Sequence, residues 1–555
     1  MTERWEPIRA NNLKLRIHGA AGEVTGSNYM IETGSYKVLV DCGFHQGQDE
    51  EKHEGESFSF DPASVDALLL THAHIDHSGR IPLLVKEGFK GKIYCTFATS
   101  ELVEILWRDS ARIMGEEAEW RTRKNSRKGL PPVEPLYSEN EVEDSLGLRS
   151  PIPYDEVIEV IDGLKVRFRE AGHILGSSII EAWISENNGD KPVKVVFSGD
   201  LGPFEGVIEN PPTFIDDADF VLIESTYGDR LHKSLEDTRS EFEDALKEAL
   251  KTSAKVLVPT FVVDRAQRVL YEFDRFQKKY PDLKMPKIYL DSPMGIKVTE
   301  IYGKYIPLLS DDLKEMFRKG DDPFEPENFQ FTRSADESRA INEETSGIIL
   351  AGSGMCSGGR IMHHLKHNLY KHDTHVLFVG YQAHGTLGRR LVDGAKEIRI
   401  AGEDVSVKAQ LHTLNGFSAH ADRNELLEWA GKFPKKTRFI VVHGEPKSAQ
   451  ALAMGLNDKG YAAQVPALND TIDLLTPAEE KAVKMPVISQ RIIDRLELSP
   501  QDVIQLLAAI THKADEMQRL TIEATDYAKI MPLLVSAKTL LETAASLGEE
   551  TKKSA

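Results

Sequence analysis

The sequence is poor in cysteine: its 555 residues hold only Cys42, Cys95 and Cys356, none within a CxxC pair. That argues against a disulfide framework or a thiolate zinc site and points to a reducing, cytoplasmic setting. Long apolar runs are missing as well, and nothing approaches the ~18 residues that a membrane span needs. The opening "MTERWEPIRANNLKLRIHG" is charged from the start and lacks the apolar core of a signal peptide. A basic excess is absent too, since 88 acidic against 68 basic residues leave a formal charge of −20. Taken alone, that balance argues against a nucleic-acid partner, although a local basic patch is compatible with it. "RTRKNSRKG" (Arg121 to Gly129) carries five cations in nine residues and reads equally as such a patch or as a solvated loop.

Hydrophobic content of 41% and charged content of 28% describe a soluble globular chain, long enough for two to four domains. Short runs rich in β-branched residues, such as "KVLVDCG", "DALLLTHAH", "VKVVFSGD" and "FVLIEST", alternate with helical patterns such as "TRSEFEDALKEALK". This alternation predicts an α/β protein. Polar residues recur just past the ends of the predicted strands: Asp41, the "HAHIDH" group, His173, Asp200, Glu224, His420 and His443. Sites in α/β proteins collect at such strand ends, where loops converge.

"THAHIDH" places His72, His74, Asp76 and His77 within six positions. In an extended turn alternate residues point the same way, so His72 and His74 can chelate one ion while Asp76 and His77 face another. Four such groups would be costly to bury together without a cation. Imidazole and carboxylate without thiolate suit zinc, with manganese or iron as alternatives. The cluster is too small for two ions, so distant residues must complete it, and His173, Asp200 and His443 are on offer. His18, His45, His53 and His232 stand alone and read as ordinary satisfied polar groups.

"HAHIDH", together with "GH" at His173 and "GD" at Asp200, resembles the metallo-β-lactamase superfamily, whose motif is HxHxDH. The resemblance implies an αββα sandwich with two zinc ions at one edge. It puts His72, His74 and His173 on one ion, Asp76 and His77 on the other, and Asp200 between them. Asp41, ending "VLVDCG", would orient ligands from behind. Later motifs are similar to those of the β-CASP branch, nucleases related to the endonuclease of the cleavage and polyadenylation factor: "LIESTYGDR" with Glu224, "FSAHAD" with His420 and "VVHGE" with His443. "PTFVVDRAQRVL", "YLDSPM", "SGMCSGGRIMHHLKH" and "GYQAHGTLGRR" add matches, so the resemblance runs from about Leu15 to Ala467. It implies a lactamase domain over 1–226, an inserted α/β domain over 227–405 and a completing part over 406–470. A helical extension of unknown role, 471–555, lies outside it.

The implied activity is a zinc-dependent ribonuclease. Two cations about 3.5–4 Å apart neutralise a phosphodiester and acidify the water that attacks it. His420 is then the candidate acid for the leaving 3′-oxygen, and Glu224 would orient it and keep it protonated. His443 would close the second ion's shell, and Asp76 and Asp200 take part in catalysis as ligands. The products would be a 5′-phosphate and a 3′-hydroxyl. Rival readings make Glu224 a capping carboxylate and pair His420 with Asp422. No serine–glycine–histidine pocket of the ribonuclease J type is found in "SGMCSGGR", so endonucleolytic cleavage is favoured, with 5′–3′ exonuclease activity left open.

For substrate contacts the sequence offers Ser353, Gly354, Gly358 and Arg360 in the glycine-rich loop, with Ser225, Ser418 and Lys366 beside them. A tight strand-to-helix turn is the competing reading of that loop. The run "HHLKHNLYKHDTH" reads as a solvated or RNA-facing surface rather than a further metal site. RNA is the expected partner and a homodimer is left open. The alternatives are a hydrolase of small esters or lactones on the same metal core, a DNA nuclease of the same branch, and a scaffold subunit, which would be expected to have lost ligands.

Overall fold

The computed structural model describes residues 13–46, 53, 55, 57–185, 192–252, 254–380, 382, 385–414 and 416–474. The expected helical stretch from 475 onward lies outside the described residues. Two seven-stranded sheets face each other. The first runs, edge to edge, Thr471–Asp473, Lys14–Ile17, Tyr29–Glu32, Lys37–Val40, Ala67–Leu69, Lys92–Thr96, Arg149–Ile152. The second runs Ala462–Gln464, Arg438–Val441, Phe220–Ile223, Val193–Phe197, Ser178–Ile184, Leu164–Glu170, Ile158–Ile161.

Strand alternation explains the layers. Val38, Val40, Leu69, Phe168, Ile180, Val195 and Leu222 point inward and pack into one core between the sheets. Their neighbours Leu39, Leu68 and Ile93 point outward onto Leu102, Val103 and Trp107 of the helix Phe97–Ser126. On the far side, Val196, Val221 and Val441 meet Leu426, Trp429 and Leu452 of the helices Arg423–Ala430 and Pro446–Asp458. Helix, sheet, sheet, helix is the expected αββα sandwich.

A third sheet of six parallel strands carries the insertion, in the order Phe329–Phe331, Ile288–Leu290, Gly347–Ala351, Lys255–Pro259, His375–Phe378, Gln410–Thr413. Gly347–Ala351 and Lys255–Pro259 are buried along their whole length, as strands covered on both faces must be. Helices Leu235–Thr252 and Arg265–Lys279 cover one face through Phe242, Leu246, Leu270 and Phe273, and Ile361–Asn368 covers the other through Ile361 and Leu365.

Three details differ from the sequence reading. Gln410–Thr413, placed by sequence in the returning segment, pairs with His375–Phe378 in the inserted sheet. Thr471–Asp473, placed in the extension, is an edge strand on Lys14–Ile17, because the buried Leu474 anchors it. The basic stretch from Arg121 is no loop as far as Ser126. It closes the 30-residue helix Phe97–Ser126, with Arg121 lying 2.7 Å from Glu117 a turn earlier.

The insertion is tied to the sandwich by a buried charge network. Arg268 lies 3.0 Å from Glu209 and 2.9 Å from Asp264, and the Tyr302 hydroxyl reaches Glu209 at 3.4 Å. Arg268→Ala would leave two carboxylates buried without their cation. The expected cost is about 3–5 kcal/mol, read as a lower midpoint in urea unfolding.

Candidate metal centre

The strand ends meet at one edge of the sandwich. Ala67–Leu69 runs into His72 and then into the short helix Ile75–Ser78, and Lys37–Val40 beside it ends at Asp41. Asp200 follows Val193–Phe197, Glu224 follows Phe220–Ile223, and His443 follows Arg438–Val441. His173 comes from the turn between Leu164–Glu170 and Ser178–Ile184. The approach is close enough to need glycine at Gly43, where an added Cβ would lie 1.6 Å from the Asp76 carbonyl oxygen. Asp41 (φ 60°) and His443 (φ 50°) both occupy the left-handed region, a strain that such sites tolerate when neighbours hold the residue.

Two groups of donors result. His74 Nδ1 lies 3.2 Å from His72 Nε2 and 3.1 Å from His173 Nε2, while Asp200 Oδ2 is 3.6 Å from His72 and 3.5 Å from His173. In the second group His77 Nε2 is 3.1 Å from His443 Nε2, which is 3.7 Å from Asp76 Oδ2. Asp200 Oδ1 lies beside this group, 3.4 Å from His77 Nε2 and 3.7 Å from Nδ1 of His443, the ring nitrogen other than the one near His77 and Asp76. Asp200 thus turns one oxygen to each group.

These distances fit cations. Ligands about 2.0–2.2 Å from a tetrahedral ion sit roughly 3.3–3.6 Å from one another. Tautomers point the same way. His173 Nδ1 donates to the Ala419 carbonyl (2.9 Å) and His77 Nδ1 to Asp41 Oδ2 (2.7 Å), which turns the lone pair of each Nε2 inward. Asp200 Oδ1 is buried without a hydrogen-bond partner, a costly state for a carboxylate lacking a cation. Burial and then the nearby His77 keep His72 well below the usual imidazole range. Burial and then His420 do the same for His173, so both are free to ligate. Burial also lowers His77, but Asp200 and Asp41 outweigh it and raise the ring, so a cation must displace a proton there.

Beside this cluster His420 Nδ1 is 3.2 Å from Glu224 Oε1. Burial pulls His420 down, but the Glu224 carboxylate outweighs it and raises the imidazole to about 9. The rival readings fare unequally. Glu224 does accept from the Leu201 and Thr226 amides, so it also braces its own turn. Asp422 does not engage the His420 ring; its carboxylate caps the helix Arg423–Ala430 through the Asn424 and Glu425 amides. Asp41 accepts from the Thr71 amide, the Thr71 hydroxyl and His77, as a residue bracing ligands from behind should.

Most expected substrate contacts are otherwise employed. Ser225 is fully buried and donates to the Val442 carbonyl, so it is out of a substrate's reach. Arg360 is pinned by Asp291 Oδ1 at 2.6 Å and by the Thr332 carbonyl, and Lys366 pairs with Glu403 at 2.7 Å. The glycine-rich loop folds on itself. Ser353 N–H donates to the Gly358 carbonyl, Ser353 Oγ accepts from the Ser357 amide, and Gly354 lies under the Phe261 ring. It is a tight strand-to-helix turn. Ser418 Oγ accepts from the His420 amide and so shapes the turn that presents His420.

Sequence reasoning missed Thr226, whose hydroxyl lies 3.1 Å from His443 Nδ1, and Thr71; each adjoins a residue already singled out. His232 is a satisfied histidine as expected, its Nε2 3.0 Å from the His420 carbonyl oxygen. His45 and His53 are not isolated, since both approach Glu23. In the histidine run, His364 is buried against Asp291 at 2.6 Å, while His363 and His367 are exposed.

Three family descriptions match successive parts of the chain: metallo-beta-lactamase superfamily over residues 21–260, Beta-Casp domain over 266–391, and Zn-dependent metallo-hydrolase RNA specificity domain over 404–466. The chain is 39% identical to Ribonuclease TTHA0252 of Thermus thermophilus, over 80% of this chain and 95% of that protein. It is 31% identical to Transcription termination factor FttA of Methanococcus maripaludis, over 78% of this chain and 67% of that one. It is 32% identical to an RNase J-like protein of Methanocaldococcus jannaschii, over 79% and 94%. Among the described residues no helix is long and apolar enough to cross a membrane.

Proposed function

The chain belongs to the β-CASP branch of the metallo-β-lactamase superfamily and is a metal-dependent RNA hydrolase, and from this premise we propose that it cuts RNA internally with two zinc ions, leaving 5′-phosphate and 3′-hydroxyl ends. Bound at the two donor groups, the cations would neutralise the scissile phosphate and acidify the attacking water. His72, His74 and His173 would hold one, Asp76, His77 and His443 the other, and Asp200 both. Manganese or iron could take the same donors. His420, held by Glu224 through Nδ1, would give the proton on Nε2 to the leaving 3′-oxygen. The divisions 1–226, 227–405 and 406–470 are our working domains, with Gln410–Thr413 given to the inserted sheet and Thr471–Asp473 to the sandwich, and 5′–3′ trimming is a secondary activity of the same centre.

The observation that carries this reading is the Asp200 carboxylate standing between two donor groups with its Oδ1 otherwise unpartnered, next to the His420–Glu224 pair. The test is zinc-loaded protein on a labelled single-stranded RNA, the matching DNA, and nitrophenyl acetate. We expect internal RNA cuts with 5′-phosphate ends, and little turnover of the ester. Rapid ester hydrolysis with intact RNA would overturn it in favour of a small-molecule hydrolase.

A further inference from the structure

Connections part at the middle of the inserted sheet. Lys255–Pro259 leads into the helix Arg265–Lys279 on one face. Its two neighbours, Gly347–Ala351 and His375–Phe378, lead into Ile361–Asn368 and Leu387–Val392 on the other. Adjacent parallel strands whose connections diverge in this way open a crevice at their carboxyl ends, where α/β sheets take up ligands. The turn 260–265 starts at that crevice and is tied to the metal centre. Its Val263 joins the core cluster of Ile174 and Leu175, the two residues that follow His173.

Two side chains of this turn span the strand ends without being consumed by the fold. Phe261 is 38% exposed. Gly354, past the end of Gly347–Ala351, makes room for its ring, because an added Cβ there would lie 2.7 Å from it. Arg265 reaches the strand on the other side, where its Nη1 donates to the Val379 carbonyl at 2.9 Å. Its Nε is buried with no hydrogen-bond partner. Asp264 and Glu209 are held by Arg268, and among the described residues no carboxylate forms an ion pair with Arg265. A partly buried guanidinium with no counter-ion is costly until an anion joins it.

We propose that Phe261 and Arg265 form a nucleotide subsite, with a base of the RNA stacked on the Phe261 ring and an adjoining phosphate paired with Arg265. The subsite rests on the RNA reading above and fixes where the strand is gripped. A phosphate offers the acceptor that Arg265 Nε lacks, and its geometry suits the guanidinium fork. Every base has a face to stack, so the subsite sets the register of the cut rather than its sequence.

The test is a series of labelled single-stranded RNAs, each with one abasic ribose at a different distance from the cut, given to zinc-loaded wild type and Phe261→Ala. At one register wild type should lose roughly 10-fold in kcat/KM. Phe261→Ala should be down by a similar factor on intact RNA, through KM, and should lose nothing more at that register. Phe261→Trp should recover intact RNA. Arg265→Gln should raise KM and make the salt dependence of binding shallower by about one phosphate contact. Phe261 is exposed, so its truncation spares the fold, and the Phe261 series decides alone should Arg265→Gln fold poorly. Wild-type KM in Phe261→Ala, or equal abasic losses in both proteins, would overturn the subsite and leave the RNA reading standing. If wild type cuts no RNA at all, that reading falls and the subsite with it.

Discussion

Asp200→Asn is expected to reduce RNA cleavage by roughly 10³-fold or more and to empty both donor groups of metal. The reason is geometric. Among the described residues Asp200 is the one that faces both groups, with Oδ2 toward His72 and His173 and Oδ1 toward His77 and Nδ1 of His443. Burial alone would push its carboxyl up, but His443, His77 and His72 hold it well below the usual carboxylate range, so it is an anion at neutral pH. Asparagine keeps the shape, removes the charge and turns an N–H₂ toward one group. Elemental analysis beside a cleavage assay reads both effects. Wild-type metal content in Asp200→Asn would refute the shared role.

His420→Ala should keep its metal and lose about 10²–10⁴ in RNA cleavage, the usual range for removing a proton donor. The loss should depend on the leaving group. A ribose 3′-oxygen needs a proton, whereas a nitrophenolate departs without one, so bis-p-nitrophenyl phosphate hydrolysis should change little. The pH profile carries the partner's role. Glu224 first, and Asp200 and Asp76 after it, outweigh burial and raise His420 from its ordinary 6.5 to about 9, so the acid form persists below that pH and is lost above it. Any stability the pair contributes is likewise present at lower pH and lost as pH rises through about 9. Glu224→Gln removes the carboxylate, and the alkaline limb should then move to lower pH. An unmoved limb, or equal losses on both substrates, would count against His420 as the acid.

How much of this could be read from the chain depended on whether the chemistry was local. "HAHIDH" announces a metal because four donors within six residues have no cheaper explanation, and the structure does bring them together with His173, Asp200 and His443. Short runs rich in β-branched residues foretold the strands, and their inner and outer faces are what the structure adds. Where side chains point was not legible. Ser225, Arg360 and Lys366 are the right types for binding phosphate, and the structure places Ser225 on the Val442 carbonyl, Arg360 on Asp291 and Lys366 beside Glu403 at the surface, partners that no local pattern encodes. Gln410–Thr413 looked like part of the returning segment because nothing in a short strand says which sheet it joins. His45 and His53 read as satisfied polar groups, and both do meet Glu23, a partner that the sequence does not name and that close turns supply; an added Cβ at Gly26 would come within 2.4 Å of the His45 ring.

The most direct test of the central claim is to strip the protein with a strong chelator, verify the loss by elemental analysis, and follow RNA cleavage as zinc is returned. Cleavage should vanish with the metal and recover as the donors around Asp200 refill. Full cleavage by protein shown to hold no transition metal would contradict it.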